Sequence, residues 1–167
     1  MASEGARAIE DEWLWGWDAT PGIVSVWAEA DGRASVWRRT PDGVVRDDVR
    51  FRPWVVLPSL DDLAHLGDAL APEGRATDAA RVTWRELKGP GSLRFVLRAQ
   101  SYATLSQAVL RGASRRLGRS LTKLSELGDD GVLALAPEEQ YLVASGRTYF
   151  RDLGFDQLHR FQFDLET

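Results

Sequence analysis

The chain has 167 residues, of which 44% are hydrophobic and 28% charged, and its formal net charge is −4. This composition is typical of a globular chain of one or at most two small domains and argues against disorder, while the negative charge argues against a free-standing nucleic-acid-binding module. The chain contains no cysteine, which excludes disulfides and thiolate zinc sites, and it contains no apolar run of membrane-spanning or signal-peptide type. We therefore expect a cytoplasmic protein with no membrane partner.

The N-terminal third predicts a loose tail followed by a β-meander. Residues 1–12 are small and acidic and show no periodicity. Two β-rich runs, Ile23 to Ala30 and Ala34 to Arg39, flank Asp31-Gly32, a dipeptide typical of a tight hairpin turn. A second turn is indicated at Pro41-Asp42-Gly43. Residues 13–49 therefore predict an antiparallel meander.

Residues 50–136 predict the order strand, helix, strand, strand, helix, strand. Phe51 to Leu57 is the first strand, and Ser59 is expected to cap a helix after it. The buried stripe of that helix is expected to comprise Leu60, Leu63, Leu66 and Leu70.

The rest of this region is predicted from its apolar runs and turns. The remaining elements are a loop over residues 71–80, strands from Val82 to Leu87 and from Leu93 to Arg98, a helix from Tyr102 to Leu117 and a last strand from Val132 to Leu135. This order is the split βαβ pattern, so we expect an α+β chain with a ferredoxin-like (βαββαβ) domain.

The C-terminal region predicts a helix, a linker and one more strand. Pro137 stands where a helix favours proline, and residues 137–146 form that helix. Within residues 147–167, apolar and polar residues alternate from Phe161 to Glu166, as in a strand with one apolar face. Asp164 and Glu166 then project together, about 7 Å apart. Such a pair is a half-site for a divalent metal, although an ordinary strand with a solvated acidic face has the same pattern.

Segments near the C-terminus resemble family B DNA polymerases. They are Gln140-Tyr141-Leu142, Ser145-Gly146-Arg147-Thr148-Tyr149-Phe150 and Phe163-Asp164-Leu165-Glu166-Thr167. In that family the first proofreading-exonuclease motif reads Asp-Ile-Glu-Thr or Asp-Leu-Glu-Thr. Two earlier segments, Gly16-Trp17-Asp18 and Phe51-Arg52-Pro53-Trp54, are similar to the family's N-terminal region. The resemblance extends from about Trp13 and is most specific after Glu138.

The resemblance implies a DNA-directed DNA polymerase of DNA replication with a 3′–5′ exonuclease. Residues 13–146 would form its N-terminal domain, and residues 147–167 would include the first strand of a ribonuclease-H-like exonuclease. Asp164 would bridge two Mg²⁺ (or Mn²⁺) ions, and Glu166 would bind one of them and orient the nucleophile. The implied partners are DNA, as template or primer 3′ end, and the remainder of the polymerase.

The family's later exonuclease and polymerase motifs are not among these 167 residues, so we expect the isolated chain to be inactive. Its own role would be to scaffold the exonuclease and to contact template DNA. Two alternatives remain: a stand-alone ferredoxin-like module that binds nucleic acid or another partner, and a small nuclease completed by self-association.

A basic stretch is the second candidate site. Its members are Arg111, Arg115, Arg116, Arg119 and Lys123, with no acidic residue between Tyr102 and Ser125. The functional interpretation is a sequence-independent phosphate-contact surface, and the alternative is a solvated helix end where cations favour the helix dipole.

Overall fold

The computed structural model describes residues 18–158 as a mixed α+β fold with two β-sheets. The first sheet has three strands, β1 (Ile23–Ala28), β2 (Arg33–Thr40) and β3 (Gly43–Arg50), in the order β1-β2-β3. All neighbours are antiparallel, and the predicted turns fall between the strands. The meander prediction is confirmed from Ile23 onward.

The second sheet has four strands in the order β4-β7-β6-β5. The strands are β4 (Trp54–Leu57), β5 (Leu70–Pro72), β6 (Val82–Glu86) and β7 (Phe95–Ala99). Strand β7 is antiparallel to both β4 and β6, so these two are parallel to each other with β7 between them. The short strand β5 adds to the edge, parallel to β6. It takes in Leu70, which the sequence predicts on the preceding helix, and the first two residues of the predicted loop.

The helix predicted after Ser59 is a 3₁₀ helix, Asp61–Ala69. The serine does not cap it: Leu60 is the N-cap and makes no side-chain cap hydrogen bond. Gly67, at φ 52° and ψ −128°, interrupts the helical backbone. Leu63 is nevertheless fully buried, with the other three predicted leucines packed around the same core.

The prediction of a last strand from Val132 to Leu135 is also wrong. A single bridge joins Leu133 to Val56 in β4, with both backbone hydrogen bonds made at 2.9–3.0 Å. This bridge is antiparallel, so Leu133 runs in the same direction as β7 with β4 between them.

Two α-helices complete the fold. Helix α1 (Tyr102–Leu117) has the predicted bounds. It is capped by the Ser101 hydroxyl and ends at Gly118 in the left-handed conformation. It packs on one face of the second sheet, where the main core includes Leu97, Leu105 and Val109. Helix α2 (Pro137–Ser145) is confirmed with Gly146 at its C-cap. Two more 3₁₀ helices span Leu124–Leu127 and Phe155–Gln157.

Helix α2 joins the two sheets. Its Tyr141 is buried in the core of the first sheet with Ile23 and Val36, while Ala144 packs against the Trp54 cluster of the second. None of the helices in residues 18–158 is long and apolar enough to cross a membrane.

Candidate functional site

The predicted metal ligands Asp164 and Glu166 lie outside the residues that the structure describes. Within residues 18–158, no three histidine or acidic side chains are grouped so that they could hold a metal ion. The structure therefore describes only the elements that precede these two residues in the chain, namely α2 and the segment after it.

The segment after α2 lies against the outer edge of the first sheet. Strand β1 pairs with β2 on one side only. On its other side, the Phe150 amide donates to the Ile23 carbonyl at 2.8 Å, and the Gly22 amide donates to the Arg151 carbonyl at 2.9 Å. Phe150 and Asp152 adopt left-handed backbone conformations, with φ of 61° and 57°. Backbone hydrogen bonds thus hold Phe150 and Arg151 at the edge of the first sheet.

A buried glutamine on α2 fastens this helix to the second sheet. Gln140 is 2% exposed, and its carboxamide accepts from the Trp54 amide at 2.8 Å and donates to the Leu135 carbonyl at 2.8 Å. The Trp54 indole returns a hydrogen bond of 2.9 Å to the Gln140 carbonyl. A polar side chain is retained in this apolar place because its hydrogen-bonding groups are satisfied.

A second polar group fastens α2 to the chain that precedes β1. Arg147 donates to the Asp18 carboxylate and to the Tyr141 hydroxyl, each at 2.8 Å. Burial tends to raise the pKa of Asp18, but hydrogen bonds from Thr20 and Arg147 outweigh it and lower that pKa to about 2. Burial raises the pKa of Tyr141 above its ordinary value, against the opposing effect of Arg147. Asp18 is therefore ionised and Tyr141 neutral near neutral pH.

These contacts join segments that are far apart in sequence. We call Asp18, Trp54, Gln140, Tyr141 and Arg147 the inter-sheet seam. Phe51 extends it with an edge-on ring contact to Tyr141, 5.9 Å between centroids. The sequence singles out these segments only by resemblance, since periodicity assigns a polar residue such as Gln140 to the surface. The structure shows that each has a packing role.

The basic stretch is only partly available to a ligand. Arg116 makes a bidentate pair with Asp62, at 2.8 and 2.9 Å, and this pair raises the pKa of Arg116. Arg119 lies 3.3 Å from the Glu126 carboxylate. The side chains of Arg111, Arg115 and Lys123 are exposed and form no ion pair within residues 18–158. The five cations therefore form no single cluster of free charge.

The acidic partner of Arg119 closes a turn next to this stretch. The Glu126 carboxylate accepts from the backbone amides of Thr122 and Lys123, at 2.8 and 2.9 Å. These two amides, with the Thr122 hydroxyl and Arg119, lower the pKa of Glu126 to about 2. The chain after α1 is thus held by an ionised carboxylate.

Comparison of the chain with protein-family models, curated proteins and solved structures gives no match.

Proposed function

We propose that the chain is the N-terminal segment of a family B DNA polymerase with a 3′–5′ proofreading exonuclease. The observation that carries this proposal is the inter-sheet seam. Asp18, Trp54, Tyr141 and Arg147 belong to four of the five segments that resemble the family. Arg147 donates to both Asp18 and Tyr141, and the Trp54 amide donates to Gln140, which directly precedes Tyr141 in its segment. The segments that carry the resemblance are thus held against one another by hydrogen bonds.

Sheet topology supports the ferredoxin-like part of the proposal. Strands β4 and β6 are parallel and separated by β7, and β7 and Leu133 are separated in the same way by β4. These are two interleaved split βαβ connections, one through the 3₁₀ helix Asp61–Ala69 and one through α1. In this topology the 3₁₀ helix stands in the place of the first helix of a ferredoxin-like domain, and the single Leu133 bridge stands in the place of its last strand.

In this proposal Asp164 and Glu166 are the first ligands of the exonuclease. Carboxylate oxygens suit Mg²⁺ or Mn²⁺, and a metal pair bound there supplies activation of water and stabilisation of the leaving oxygen. Two carboxylates do not complete such a site. The remaining ligands come from later parts of the polymerase, so the 167-residue chain by itself is inactive. Its role is to brace the exonuclease, because the chain that leads to Asp164 is bonded to the edge of β1.

The same proposal assigns DNA contact to the basic stretch. Arg111, Arg115 and Lys123 are the members free of ion pairs within residues 18–158, and they offer sequence-independent phosphate contacts. Arg116 and Arg119 are held by Asp62 and Glu126 and contribute less, because binding must first break their pairs.

Reading the gene beyond the codon for Thr167 tests the proposal. We expect an open frame that encodes two further aspartate-containing exonuclease motifs and then polymerase motifs. A stop codon would reject the polymerase assignment and leave a self-contained ferredoxin-like binding module. Metal-dependent digestion of a 3′-labelled oligonucleotide by the purified 167-residue chain would also reject it, in favour of a nuclease completed by self-association.

A further inference from the structure

A polar groove opens between the end of β3 and the start of β6. Its volume is about 890 Å³, within the range of ligand-binding clefts. Its polar lining includes Arg50, Arg52, Asp78, Arg81, Thr83 and Gln100. Three guanidinium groups thus face one carboxylate, in a chain whose formal net charge is −4. The groove is therefore locally positive although the chain as a whole is negative.

None of the three guanidinium groups forms an ion pair with a carboxylate of residues 18–158, although Asp31, which pairs with Arg33, attracts Arg50. Arg50 donates to the Asp31 carbonyl at 3.3 Å, and Arg52 donates to the Arg98 carbonyl at 3.2 Å. The Arg81 side chain makes neither a hydrogen bond nor an ion pair with the described residues. Guanidinium groups that contact only carbonyls or solvent retain donors for phosphate oxygens.

Further cations lie beside the groove. Arg98 and Arg85 both pair with Glu73, at 3.1 and 3.9 Å, so one carboxylate serves two arginines. Burial lowers the pKa of Arg98, and although Glu73 opposes this, repulsion by Arg85 and Arg52 adds to the lowering. Repulsion among these groups shows that the chain has more positive than negative charge here, and an anion would relieve it.

A buried hydroxyl in the groove lacks a partner in the described part of the chain. Thr83 is 3% exposed, and its Oγ1 has no hydrogen-bond partner among residues 18–158. Such a group costs stability, and a ligand oxygen at this position would satisfy it. The first turn of α1 reaches the groove through Thr104 and holds no acidic residue, so its electropositive end also favours an anion. The Phe51 ring lines the groove as well and offers an apolar face.

We propose that this groove binds the phosphate backbone of single-stranded DNA, with Arg50, Arg52 and Arg81 contacting phosphate oxygens and the Thr83 hydroxyl donating to one of them. Cationic side chains beside an aromatic ring are what a strand with exposed bases requires, because the ring stacks on a base while the cations follow the backbone. The choice of DNA rests on the proposed function, whereas the phosphate chemistry rests on the groove.

Fluorescence anisotropy with a labelled 12-residue oligo-dT tests the proposal on the full chain. The three phosphate contacts of the groove contribute about a 20-fold fall in affinity between 50 and 200 mM salt. The variant Arg52→Gln/Arg81→Gln reduces the slope of log affinity against log salt by about 1.4 and weakens binding about tenfold at 50 mM salt. The control Arg75→Gln/Lys88→Gln removes the same charge from exposed positions outside the groove and stays within about twofold of the unsubstituted chain.

The Thr83→Val variant separates ligand binding from folding. It replaces the unpartnered hydroxyl with a methyl group of similar shape, so the thermal midpoint is unchanged or higher. Affinity for oligo-dT falls about threefold or more because one phosphate contact is lost. Unchanged affinity in this variant and in the double arginine variant overturns the proposal.

The other outcomes are equally decisive. The proposal is overturned if the chain does not bind oligo-dT. It is also overturned if the groove variant and the charge-matched control lose the same affinity for oligo-dT. Tight binding of inorganic pyrophosphate that excludes oligo-dT overturns the assignment to DNA. The binding assay needs no exonuclease motif. If the groove does not bind oligo-dT but the reading frame continues, this inference alone is rejected. Groove binding with a stop codon after Thr167 rejects the polymerase assignment alone.

Discussion

Replacing Gln140 with leucine tests whether the inter-sheet seam holds α2 on the second sheet. In Gln140→Leu the Trp54 amide loses its acceptor and the Leu135 carbonyl loses its donor, both at 2.8 Å in the structure. Each buried group that loses its partner costs about 1–3 kcal/mol. Burial of the leucine offsets about 2 kcal/mol. We expect a net loss of about 2 kcal/mol in the free energy of unfolding.

Urea and thermal unfolding followed by circular dichroism measure this change. For a chain of this size, about 2 kcal/mol lowers the melting temperature by about 4–8 °C. The control is Gln107→Leu, the same substitution at an exposed position on α1, which changes stability by no more than about 0.5 kcal/mol. A Gln140→Leu variant as stable as this control would show that the buried hydrogen bonds do not hold the two layers together.

Two further substitutions test the seam and the packing of α1. The Asp18 pKa is lowered from 3.8 to about 2, so its contribution is present above pH 3.8 and is lost as pH falls towards 2. The full shift corresponds to about 2.4 kcal/mol, and screening at a side chain that is 30% exposed reduces it to about 1 kcal/mol. Urea unfolding from pH 4.5 to 2 should show that loss in the unsubstituted chain and not in Asp18→Asn. Parallel profiles would contradict the lowered pKa that Thr20 and Arg147 give Asp18. In Gly112→Ala the new Cβ would lie 1.6 Å from the Asp62 carbonyl oxygen, so α1 must move. We expect the free energy of unfolding in urea to fall by about 1–3 kcal/mol. Unchanged stability would contradict the close approach of α1 to the 3₁₀ helix Asp61–Ala69.

The parts of the fold that the sequence predicts are those with a strong local cause. Asp31-Gly32 predicts the first hairpin because glycine supplies the positive φ of the turn, here 84° at Gly32. Helix α1 is predicted because its apolar spacing and the glycine that follows it, Gly118, agree, and the structure adds the Ser101 cap. Where local signals conflict, the prediction fails.

The 3₁₀ helix and the short strands illustrate that failure. Leu60, Leu63 and Leu66 recur at intervals of three, which fits a 3₁₀ helix of three residues per turn as well as an α-helix. Gly67 then leaves the helical region at φ 52°, a conformation that glycine adopts readily. Strand β5 has three residues, too few for a period, and it pairs because β6 offers an open edge beside it.

For the candidate sites, too, the sequence predicts what has a local pattern and misses what depends on long-range contacts. The charge pattern along α1 identifies the basic stretch, but it cannot show that Arg116 meets Asp62, 54 residues away. The seam depends on long-range pairs such as Arg147 with Asp18, 129 residues apart, which have no local signature. The groove is assembled from the β3–β4 junction and the start of β6, so Arg81 joins Arg50 and Arg52 only in the folded chain.

The polymerase assignment is tested most directly by exonuclease activity in the longest product of the gene's reading frame. That polypeptide should digest a 3′-labelled single-stranded oligonucleotide in the presence of Mg²⁺. The variant Asp164→Ala/Glu166→Ala should lose at least about 100-fold in rate, because removing metal ligands removes several kcal/mol of transition-state stabilisation. Equal digestion by both proteins, or no digestion by either, would contradict the claim that these two carboxylates begin a proofreading site.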